Sequence, residues 1–157
     1  MDPAALAIIG GAIGLAGGLA GSAIGIGIAG SAGAATLSEE PGQFRNVILL
    51  ASLPMTQSFY ALIVLILVLS VVVPKIAAMP EPGGSGLAVL GCGIFVAAAE
   101  GFSAAYQGSI CASGISLLPK TKGTILTGSM ILAVFVELIG VLGLVFTILA
   151  LSMLKLF

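Results

Sequence analysis

The chain contains no histidine and no tryptophan, and only two cysteines. Without histidine, zinc and haem lose their commonest protein ligand. Cys92 and Cys111 lie 19 residues apart in one expected helix, too far to bridge. They read as small apolar packing residues. Charge is as scarce: Lys and Arg number 5, Asp and Glu 6, and the formal net charge is -1. Such a chain offers nucleic acid no basic patch. Nor does a basic stretch precede the opening MDPAALAII, so that run reads as a retained first span and not as a cleaved signal peptide. No glycine loop followed by Lys and Ser or Thr occurs, which leaves no means of holding a nucleotide phosphate for hydrolysis.

What the chain does have is apolar length. Of its 157 residues 59% are hydrophobic, and the mean hydropathy is +1.29. That composition belongs to an integral membrane protein. Four runs are long enough to span a bilayer: about 4–36, 46–73, 86–118 and 124–153. Polar or Pro-Gly segments separate them at 38–46, 74–85 and 119–123. Short loops between long helices predict an all-α antiparallel bundle of four transmembrane helices. The first and third loops carry Arg45, Lys120 and Lys122, against Lys75 and Lys155 on the other side. The excess of positive charge puts those two loops in the cytoplasm and both termini outside it.

The first run is dense in glycine, with Gly10, Gly14 and Gly18 at one spacing of four and Gly17, Gly21 and Gly25 at another. Glycine lets helix backbones approach closely in lipid, which predicts a tightly packed inner layer. The two halves also repeat. At an offset of 81, Ser22-Ala23 falls on Ser103-Ala104, Gly27 on Gly108 and Gly33 on Gly114. After a one-residue shift, Leu50-Ala51 matches Leu132-Ala133, and Met55 falls on Glu137. This is a tandem, parallel duplication of a helical hairpin, with units 1–78 and 79–157.

The fourth run carries one charge, Glu137, near its middle. A carboxylate there costs about 3 kcal/mol or more, and spanning does not require it. Other polar groups share its depth. Counted from the loop ends at about 1.5 Å per residue, Gln57 and Gln107 lie roughly 16 Å in and Glu137 roughly 20 Å. Pro54 lacks an N–H, so the Leu50 carbonyl is expected to lose its helical partner and the helix to kink. Thr56 adds a hydroxyl, and Tyr60, one turn on, brings a phenol toward Glu137. One carboxylate among neutral oxygens suits a hard monovalent cation better than a divalent one.

These stretches resemble the membrane-rotor proteolipid, the K or c subunit, of V/A-type rotary ATPases in its duplicated four-helix form. The resemblance covers essentially the whole chain. It rests on LPMTQSFY at 53–60, YQG at 106–108 and VEL at 136–138. The first is close to the L-P-x-T-Q-x-x-Y pattern of the sodium-translocating branch. The resemblance implies a Na+ site built from the Leu53 backbone carbonyl, Thr56, Gln57, Gln107 and Glu137, with Tyr60 hydrogen-bonded to the carboxylate. It also implies a closed homo-oligomeric ring in the cell membrane, with helices 1 and 3 inside and 2 and 4 outside. A stator subunit with a buried Arg and a central-stalk subunit touching the loops near 38–46 and 119–123 would be its partners. Rotation would couple Na+ transport, or H+ transport in its place, to ATP hydrolysis or synthesis on another subunit. No organic cofactor is implied, and the chain itself would not be an enzyme.

Glu100 lies outside that pattern, seven residues before Gln107 and nearly on the same face. It reads either as a protonated acid bonded to neighbouring helices or as part of the ion path. A second functional class competes, a small multidrug or cation antiporter with four helices and one membrane carboxylate. Such proteins usually place that carboxylate in helix 1 and need an aromatic chamber. Here helix 1 is uncharged and tryptophan is absent.

Overall fold

The computed structural model describes residues 2–157, which form four long helices. They are α1 (Pro3–Glu39), α2 (Pro41–Ala77), α3 (Ser85–Thr121) and α4 (Leu126–Met153), each long and apolar enough to cross a membrane. A 37-residue helix is about 55 Å long, well beyond a hydrocarbon core of about 30 Å, so α1, α2 and α3 project past it. Asp2 caps α1 by accepting from the Ala4 and Ala5 amides at 3.2 and 3.3 Å.

Glycine decides how the helices meet. A Cβ added at Gly10 would lie 2.7 Å from the Leu90 Cα, and one at Gly17 would strike Ala97. Further along, Gly21 meets Gly101 and Gly25 meets Gly108, backbone against backbone. Partner numbers rise together along both helices, so α1 and α3 run parallel. Their contact offset of 80–83 is also the offset of the sequence repeat. The duplicated hairpins therefore pack side by side in the same direction, with α1 against α3. The remaining helices, α2 and α4, pack outside this pair and meet each other where Tyr60 reaches Glu137.

The segment 38–46 is not the loop its composition predicts. α1 runs to Glu39, and a 3-10 turn at Pro41–Gln43 starts the next helix at once, leaving Glu40 as the corner. Proline at the first position of a helix needs no N–H partner, so Pro41 begins a helix where it reads as a break. α3 likewise runs through Pro119 to Thr121, and ends only at Lys122 and Gly123, with φ of 50° and 83°. The carbonyl that Pro119 cannot satisfy is that of Ile115. The Thr36 hydroxyl of α1 donates to it at 3.1 Å. α2 continues through Pro74 to Ala77 by way of a π-turn at Val68–Val72.

Two apolar clusters fill the bundle. One, around Val64, Val68, Val72, Val89, Val96 and Leu151, lies toward the termini. The other, around Val47, Leu50, Ile115, Leu118 and Ala133, lies toward the first and third loops. Between them sits a polar layer.

Candidate ion-binding site

Pro54 shapes this layer. The helix tightens into a 3-10 turn at Leu53–Met55, and the Leu50 carbonyl takes the Leu53 N–H in place of the missing one. The expected orphan is thus recaptured by the backbone, as membrane burial demands. The next carbonyl in line, Leu53, accepts the Thr56 N–H and also the Thr56 hydroxyl at 3.1 Å. Just past this turn, Gln57 reaches α3.

From there the polar groups form an unbroken chain across three helices. The Thr56 hydroxyl also lies 3.1 Å from the Gln57 Oε1, which shares the hydroxyl's one proton with the Leu53 carbonyl. Gln57 Nε2 donates to Gln107 Oε1 at 2.9 Å and to the Ser103 hydroxyl at 3.1 Å. Gln107 Nε2 donates to Glu137 Oε2 at 3.2 Å and to the Ala133 carbonyl at 3.3 Å. Tyr60 closes the chain by donating its phenol to Glu137 Oε1 at 3.0 Å. Each carboxylate oxygen of Glu137 therefore has one donor. Gln57 and Gln107 are fully buried, whereas Glu137 is half-buried, flanked on α4 by the exposed Phe135, Leu138 and Ile139.

All six residues singled out in the sequence, with Pro54, come together here. Ser103 is a further member, one that the motifs do not include. It accepts from Gln57 and donates to the Val136 carbonyl at 2.9 Å, tying α2 and α3 to α4 beside Glu137. Its spacing of four before Gln107 places it on the same helix face, which is the signal that marks it. Met55, the repeat counterpart of Glu137, is exposed and offers no charge, so the first hairpin has no equivalent site. Glu100 is fully buried one turn from Ser103, and neither carboxyl oxygen has a hydrogen-bond partner among the described residues. The bonds to neighbouring helices expected of a structural acid are not there.

Chemically, the layer offers one carboxylate and a set of neutral oxygens whose amides exchange donor for acceptor by a half-turn. Among the described residues no group of three or more His, Cys, Asp or Glu side chains assembles, so the layer lacks the charge for a divalent metal.

The sequence profile of the ATP synthase C subunit matches residues 4–68 and again 84–150. The chain belongs to the family of ATP synthase C subunits. As a family member matched twice in tandem, it is a duplicated proteolipid, one repeat per helical hairpin. The candidate site draws on both repeats, because Thr56 and Gln57 stand in the first and Gln107 and Glu137 in the second. Two relatives are similar in sequence. The A-type ATP synthase subunit K of Methanocaldococcus jannaschii is 38% identical over 131 residues, covering 78% of this chain and 58% of that protein. The V-type sodium ATPase subunit K of Enterococcus hirae is 33% identical over 129 residues, covering 82% and 79%.

Proposed function

We propose that the protein is the ion-carrying rotor subunit of a V/A-type rotary ATPase and that Na+ is its cargo. The observation that carries this reading is the half-buried Glu137 at the end of a continuous chain of oxygens. A proton needs one of those oxygens, and the rest would be costly to bury in lipid without a purpose. The relative named as a sodium ATPase subunit points the same way.

In the geometry described, Tyr60 and the Gln107 amide hold the carboxylate with donor hydrogen bonds. Turning the Gln107 amide presents its oxygen instead. Leu53 carbonyl, Thr56 hydroxyl, Gln57 Oε1, Gln107 Oε1 and Glu137 then surround one monovalent cation. The loaded site is neutral and crosses lipid cheaply, whereas a bare carboxylate does not. Copies assemble into a closed ring with α1 and α3 inside, and the hairpins 1–78 and 79–157 are its repeated units. A stator subunit's buried Arg competes for Glu137 and releases the ion, so rotation couples transport to ATP chemistry on another subunit.

Asn46 and Gln43 lie against Gly123, so the first and third loops share one end of the bundle. That end bears Arg45, Lys120 and Lys122, and this excess of positive charge supports its assignment as the cytoplasmic face, where the central stalk would land. The Lys75 amine reaches the Phe157 carbonyl at the other end, outside the cytoplasm.

The test is carbodiimide labelling of Glu137 in purified rings. Sodium at neutral pH is expected to suppress labelling, and H+ to compete as pH falls. Labelling indifferent to millimolar sodium would leave a rotor that carries protons.

A further inference from the structure

Glu100 is the buried group that the carrier site does not use. Both of its carboxyl oxygens are shielded from solvent and, among the described residues, without a hydrogen-bond partner. They project into a notch that α4 opens with two glycines. A Cβ at Gly140 would lie 2.7 Å from Glu100 Oε2, and one at Gly143 would lie 3.2 Å from Oε1. The same Gly140 position is 3.2 Å from the Ser103 hydroxyl oxygen, so the carboxyl and that hydroxyl both lie against Gly140. Ser103 accepts once and donates once, which leaves it a free lone pair. Across the bundle, a Cβ at Gly18 of α1 would lie 3.6 Å from the Glu100 Cβ. One turn further along α1 comes Ser22, another buried hydroxyl without a partner.

A bare carboxylate in this interior costs several kcal/mol. The neutral acid removes the charge but leaves its O–H and C=O unbonded, a cost of its own in a medium without water. A monovalent cation supplies both the countercharge and the coordination. A divalent ion does not fit, because no cluster of three or more carboxylate, thiolate or imidazole groups stands among the described residues.

We infer that the Glu100 notch is a second site for a monovalent cation of the Na+ class, held by the Glu100 carboxylate with the Ser103 hydroxyl and bounded by Gly140 and Gly143. Its ion is resident, since Glu100 is fully buried while Glu137 reaches the outer face. The two sites share a wall, the Gln57–Ser103 hydrogen bond.

Tracer sodium bound per subunit, measured on intact purified rings, decides it. Wild-type rings are expected to bind twice the sodium of either Glu100→Gln or Glu137→Gln rings, and the double variant none. A Glu100→Gln ring that binds as much sodium as wild type overturns the inference and leaves Glu100 as a proton-bearing acid. So does a Glu137→Gln ring that binds none. Failure of the carrier-site reading looks different: Glu137→Gln then keeps the wild-type sodium content. Glu100→Asp keeps the charge and withdraws the carboxylate by one methylene. It is expected to weaken the second ion at least tenfold, and an unchanged affinity again overturns the inference.

Discussion

Replacing Gln57 by Leu tests the carrier site at its most connected member. Gln57 is fully buried, accepts from Thr56 and donates to Gln107 and Ser103. Leucine has nearly the same volume, so the helix contacts survive while one amide oxygen and two N–H donors vanish. Loss of one polar partner from a charged group costs about 1.5–3 kcal/mol. At about 1.4 kcal/mol per tenfold, sodium affinity should fall about 10- to 150-fold. The freed Gln107 amide is then held only by Glu137 and Ala133. The assay is the sodium concentration that half-protects Glu137 from a carbodiimide at neutral pH. Labelling without sodium should match wild type, because Glu137 still takes a proton and keeps Tyr60. Thr56→Val should act in the same direction. The double variant should fall short of the sum, since the two side chains share a hydrogen bond. A half-protecting concentration within twofold of wild type would refute the assignment of Gln57 as a ligand.

Other consequences follow from particular contacts. Tyr60→Phe removes the one donor to Glu137 Oε1. It should weaken sodium about tenfold by the same assay while rings still assemble, at a cost of order 1.5 kcal/mol. Thr36→Val leaves the Ile115 carbonyl unpaired and should destabilise the subunit by about 1–3 kcal/mol in thermal melts. Adding Pro119→Ala restores a backbone donor and should recover most of that, whereas an equal loss in both backgrounds would show that the hydroxyl is not filling the proline gap. Gly21→Val drives a side chain into the Gly101 backbone and should abolish folded subunit. Gly27→Ala meets nothing within 4 Å and should be neutral or slightly stabilising, and equal behaviour of the two would refute the glycine contact.

Much of this protein is one-dimensional and therefore open to reading from the sequence. Hydropathy and length mark four spans, and rise per residue puts Gln57, Gln107 and Glu137 at one depth before any helix is placed. The conspicuous cost of Glu137 in an apolar run identifies the centre of the layer, because lipid penalises a charge wherever its helix points. Proline is less legible. Pro41, Pro74 and Pro119 look like helix ends, yet α2 begins at the first, and the second and third sit inside helices.

The reason is that a proline's missing donor is a local fact, while its replacement is not. For Pro119 the substitute is Thr36, on another helix and 79 residues from the Ile115 carbonyl that it caps. The same limit applies to the site. Spacing fixes depth but not which faces meet across helices, and that is decided by the glycine contacts that lock α1 and α3 in register. Those contacts bring Ser103 into the layer as its tie between helices. They also leave Glu100 with no partner, which composition and spacing along a single helix could not reveal.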